Sequence, residues 1–83
     1  MPQKHMGRVA VTGDGRYAAA ASRDGFTRIF DLKSRKFVHK VAAGVGWQVM
    51  LPVGDTHLLL SFKDDSSVLL DAYRGVIEWR VPW

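Results

Sequence analysis

The side chains in this sequence that could do chemistry recur at a fixed interval. Asp24 and Asp64 stand 40 residues apart, in the turn-forming runs Ser22-Arg23-Asp24-Gly25 and Lys63-Asp64-Asp65. Asp31 and Asp71 keep the same spacing. A carboxylate in such a turn accepts hydrogen bonds from backbone N–H groups two residues on. Ser22, Asp24, Asp31, Asp64 and Asp71 are therefore expected to shape turns rather than to catalyse. Neighbouring carboxylates such as Asp64-Asp65 usually diverge, and no third acid follows at the spacing of a calcium loop.

Lys33, Arg35 and Lys36 form a basic cluster, with Lys40 nearby. Such a cluster attracts phosphates or an acidic partner, although a solvated turn is the plainer reading. It has no aromatic stacking platform beside it, so nucleic acid is not the expected partner. His5, His39 and His57 lack the spacing of a zinc site, and His39 is expected to lie exposed on an outer strand. No Gly-x-Ser-x-Gly elbow and no phosphate-binding glycine loop occurs. Neither a catalytic residue nor a metal ligand is assigned. Trp47, Trp79 and Trp83 gather in the second half. Exposed, they would mark an interface or a sugar-stacking surface; buried, they would be core.

The elements that hold these groups are strands. Val9–Val11, Tyr17–Ala21, Thr27–Asp31 and Lys36–Val41 are short runs bounded by Gly13-Asp14-Gly15, Asp24-Gly25 and Lys33-Ser34-Arg35. Short alternating runs between Gly/Asp turns describe an all-β meander. Thr27, Ile29 and Phe30 suit a pleated surface. Tyr17–Ala21 carries four alanines, too few for an isolated helix, and its small side chains predict a place where two sheets approach closely. Shifting the sequence by 40 without a gap puts Val9 on Val49, Asp24 on Asp64, Asp31 on Asp71 and Val41 on Val81. Strands are thus expected at Gln48–Leu51, His57–Phe62, Ser67–Asp71 and Val76–Val81. The chain reads as two four-stranded units, residues 4–43 and 44–83, joined through Ala42 to Gly46.

A period near 40 with four strands is the spacing of a β-propeller blade, and Gly13–Lys36 resembles a WD40-type repeat. In that family an Asp-Gly turn enters the second strand, a Ser-x-Asp-Gly turn enters the third, and a Trp-Asp pair closes it. Asp14-Gly15, Ser22–Gly25 and Phe30-Asp31 stand in those places. Phe30 replaces the tryptophan. In the second unit Asp64 remains, while Phe62 replaces the serine and Leu70 the tryptophan. The same stretch also resembles the haem d1 propeller of nitrite reductase and its relatives. That resemblance implies a cofactor whose carboxylates would be met by Arg16 or Arg23. The WD40 resemblance implies a non-catalytic scaffold for protein partners, without a cofactor.

Composition bounds the rest. The chain has 83 residues, 47% of them hydrophobic and 24% charged, with no cysteine and a net charge of +4. This is a globular composition without disulfides or thiolate metal sites. No apolar run reaches the ~18 residues of a membrane helix, and a cytoplasmic protein is the expectation. A propeller takes about four to eight blades, so two expose apolar faces that invite association. Three completions are open: a longer parent chain, docking onto another protein, or self-assembly of three or four copies, including a two-blade sugar-binding ring. Residues 1–43 carry a net charge of +6 and residues 44–83 a net charge of −2. That asymmetry would set the order of a head-to-tail ring.

Overall fold

The structure, a computed structural model, describes residues 8–81. His5 and Trp83 lie outside the described residues. Eight strands follow in order: β1 (Arg8–Val11), β2 (Tyr17–Ala21), β3 (Thr27–Asp31), β4 (Lys36–Val41), β5 (Trp47–Val53), β6 (His57–Phe62), β7 (Ser67–Asp71) and β8 (Val76–Val81). They form two four-stranded antiparallel meanders, β1-β2-β3-β4 and β5-β6-β7-β8. The fold is all-β, two blade-like sheets that do not close on themselves. No helix among the described residues is long and apolar enough to cross a membrane.

Backbone shape repeats more faithfully than side chains do. The β3–β4 and β7–β8 turns each close by a bond from the fourth residue on, Arg35 N–H to Asp31 O (2.7 Å) and Gly75 N–H to Asp71 O (2.8 Å). Arg35 and Gly75 are both left-handed, at φ 61° and 70°, as are Gly25 and Asp65 at 89° and 70°. In each pair one unit uses glycine and the other carries a side chain in a region where side chains are uncommon. Both sheets also shift register at matching places, Ile29/Phe30 and Leu69/Leu70.

The gapless alignment fails at the first strand of each unit. Val9 pairs with Ala20, whereas the partner of Leu60 is Met50, not Val49. Six residues separate the paired Val11 and Ala18, and five separate Pro52 and Leu58. The first turn of the second unit is one residue shorter. Since side chains alternate across a strand, one residue of slip moves every side chain to the other face. Val9 therefore corresponds to Met50. Strand β5 also extends beyond the expected Gln48–Leu51, to Trp47 and Val53.

The core lies between the sheets. Tyr17, Ala19, Ala21 and Ile29 of the first sheet meet Leu58, Leu60, Phe62, Val68 and Leu70 of the second in one cluster. The backbones of the two sheets come closest at β1 and β5. The molecule measures 35 × 34 × 18 Å, and the short dimension is that of two sheets about 10 Å apart with their side chains. Each buried side-chain nitrogen or oxygen among the described residues has a partner, as a small core requires.

Backbone contacts fix how the sheets sit. Asp14 N–H donates to Asp55 O at 3.1 Å, and the linker is tied at both ends by Gly44 N–H to Gly25 O (3.0 Å) and Lys63 N–H to Gly46 O (2.7 Å). His39, expected to be exposed, is instead half-buried, with its Nε2 3.0 Å from Tyr73 O. The bulge in β4 turns this ring onto the β7–β8 turn of the second sheet.

Candidate functional site

The candidate turn residues occupy both ends of the sheets. At one end Asp24 Oδ1 accepts from Phe26 N–H at 3.0 Å and from the Ser22 hydroxyl, while Arg28 donates to Oδ2 at 2.7 Å. The Arg28 guanidinium, then the Ser22 hydroxyl and the Phe26 N–H, hold this carboxyl well below the usual carboxylate range. Asp64 takes the equivalent place with a smaller set of donors, Ser66 N–H at 2.9 Å and the Ser66 hydroxyl at 2.5 Å, which lower its pKa. Phe62 stands where Ser22 does, so its turn has no serine hydroxyl there.

At the other end Asp31 Oδ1 accepts from Lys33 N–H at 2.9 Å, and Arg16 grips both its oxygens, Nε to Oδ1 at 3.3 Å and Nη2 to Oδ2 at 3.0 Å. Arg16 first, then the Lys33 and Ser34 N–H groups, lower the Asp31 carboxyl from 3.8 to about 2. A proton therefore binds the unfolded chain more readily than the folded one. The stabilisation is complete above 3.8 and fades as pH falls towards 2. Arg16→Ala is expected to raise the Asp31 pKa and move the acid limb of unfolding to higher pH. Circular dichroism across an acid titration reads this; an unchanged acid limb would show that the pair does not matter.

The second unit departs here. Thr56 stands where Arg16 does, so Asp71 Oδ2 lacks the bidentate arginine. Its Oδ1 still accepts from Tyr73 N–H (3.0 Å) and Arg74 N–H (3.2 Å). Its Oδ2 faces Arg74 Nε at 3.6 Å and His57 Nε2 at 3.9 Å, and His57 Nε2 is 3.3 Å from Glu78 Oε2. His57, Asp71 and Glu78 offer three ligand atoms within 4.8 Å of one another. Such a set can hold a divalent cation, or any cation brought to it. No spacing in the sequence signals this cluster. It arises because β6, β7 and β8 set residues 57, 71 and 78 side by side.

The remaining candidates do not converge. Arg23 is exposed in its turn, and Arg16 is committed to Asp31. Lys33, Arg35 and Lys36 are exposed around the β3–β4 turn. Trp47 packs partly against the core, while Trp79 is exposed on the outward face of the second sheet, beside Leu69.

Each outward face carries a group of exposed apolar side chains, beside Arg28 and Lys40 on the first sheet. On the first sheet Val9, Val11, Phe30 and Phe37 are exposed, the last two with ring centroids 5.6 Å apart. On the second, Val49, Leu51, Val53 and Trp79 are exposed. Each face is carried by a four-stranded antiparallel meander. The chain matches no family model, and no curated protein matches it.

Proposed function

We propose that this chain is a non-catalytic binding and scaffold module, a pair of WD40-like β-propeller blades that acts by protein–protein contact. The observation that carries this reading is the apolar outward face on each sheet. Monomeric proteins rarely expose contiguous apolar patches of this kind except where a partner binds. The paired four-stranded meanders and the Ser22–Asp24 turn support the propeller resemblance. The carboxylates of Asp24, Asp31 and Asp64 are spent on shaping turns. Further blades or a protein partner would cover the faces.

The test is native purification followed by light scattering on a size-exclusion column. Wild type is expected in a complex larger than the 9.3 kDa chain. The double substitution Phe37→Asp and Leu51→Asp, both at exposed positions, should release a folded 9.3 kDa species. A partnerless 9.3 kDa wild type would overturn the reading.

A further inference from the structure

Corrected for the one-residue slip, the repeat relates the faces of the two sheets. The face of the first sheet with Tyr17, Ala19 and Ile29 is covered by the second sheet. Its counterpart carries His57, Leu59 and Leu69 and points outward, with Leu51 51% and Trp79 43% exposed. The covered face of the second sheet carries Leu58, Leu60 and Leu70. Its counterpart carries Ala18, Ala20 and Phe30 and also points outward, with Val9 56% and Phe37 53% exposed. The two uncovered faces are thus the same complementary pair as the two covered ones.

We propose that a second copy of this chain docks head to tail, its first sheet laid on the outward face of the second sheet. This rests on the binding-module reading and names the partner. The internal contact says which groups would meet. Within the chain the Tyr73–Gly75 turn reaches Tyr17, with ring centroids 6.1 Å apart, and His39, whose Nε2 lies 3.0 Å from Tyr73 O. Forty residues on, Tyr17 and His39 become His57 and Trp79; forty residues back, the turn becomes Lys33–Arg35. Head-to-tail docking therefore brings Lys33 and Arg35 of the next copy to the carboxylates of Asp71 and Glu78. Within the chain Asp71 Oδ2 already faces Arg74 Nε at 3.6 Å; the basic turn would add further cations beside Asp71 and Glu78, a charge-assisted contact.

One detail must differ from the internal contact. A Cβ at Gly75 would lie 2.3 Å from His39 Cγ, and Arg35 has a Cβ. Trp79 therefore cannot sit as deep as His39. Its ring lies flatter, with the Arg35 guanidinium stacked on it, and its indole N–H can donate to the Lys33 carbonyl as the His39 ring meets Tyr73 O.

Light scattering and sedimentation of the purified chain test the proposal. Wild type is expected at three or four multiples of 9.3 kDa. Arg35→Glu and Glu78→Lys should each weaken assembly at least about tenfold, since like charges are then opposed. The double variant Arg35→Glu/Glu78→Lys restores the attraction and should restore the mass. Circular dichroism confirms that each variant is folded. A folded species at 9.3 kDa at every concentration, a symmetric two-copy species, or assembly indifferent to Arg35→Glu would overturn it. If a different protein occupies the faces, self-docking fails and the binding-module reading stands. If nothing does, both fail.

Discussion

Leu60→Ala is expected to remove most of the chain's stability at room temperature. Leu60 is fully buried at the centre of β6, paired with Met50 and Val68 and turned towards the first sheet. A leucine-to-alanine change in such a site costs about 2–5 kcal/mol, because a cavity replaces the lost methyl groups. A chain of this length has a total stability of roughly 4–12 kcal/mol, and the outward apolar faces put an isolated copy near the lower figure. Leu59→Ala is the control. Leu59 lies on the outward face and is only half-buried, so it should cost about 1 kcal/mol or less. Urea unfolding followed by circular dichroism compares the two. A larger cost for Leu59→Ala in the single chain would mean that the faces are assigned the wrong way round.

The second large effect is expected at Gly13. A Cβ there would lie 2.1 Å from Gly54 O, a backbone atom in the other sheet that cannot turn aside. Gly13→Ala must push the two first turns apart and break the Asp14 N–H to Asp55 O bond at 3.1 Å. Overpacking of this kind costs about 1–3 kcal/mol, and the lost bond adds about 1 kcal/mol. Gly15→Ala makes the comparison sharp. Gly15 has the strained backbone, at φ 73°, but open space around it. Its substitution should cost about 1 kcal/mol. Thermal melts of both variants decide whether steric contact or backbone strain costs the fold more. If Gly15→Ala is the worse, the close approach of the turns is not what holds the sheets.

Most of the architecture is legible in the sequence because turns and alternation are local. Asp24-Gly25 and Lys33–Arg35 mark where the chain reverses, and Thr27 to Asp31 alternates between them, so β2, β3 and β4 follow without any tertiary knowledge. The repeat then carries β6, β7 and β8. The alanines of β2 predict a close approach of sheets there; Ala19 is fully buried, while the closest backbone approach of the sheets lies at β1 and β5. The slip between β1 and β5 is not legible. Both first turns contain glycine, and nothing in their composition says that one is a residue shorter. Composition also cannot reveal the His57, Asp71 and Glu78 cluster, since it depends on pairing across three strands and on the register shift at Leu69/Leu70. His39 escapes for the same reason: the bulge in β4, not the sequence around it, decides where its ring points.

The sheet topology has a kinetic consequence. Every hydrogen-bonded strand pair joins strands consecutive in the chain. Each ladder therefore closes a loop of only a few residues, which keeps the entropic cost of pairing low and the mean sequence separation of pairing small. No strand waits for a partner from the other half of the chain. Pairing within each meander can begin as a hairpin that gains strands one at a time. The long-range step is the packing of one meander onto the other. Contacts such as Asp14 with Asp55 and His39 with Tyr73 belong to that last step. Weakening them should leave the folding rate of each half untouched, and should show up as a slower final phase or as faster unfolding.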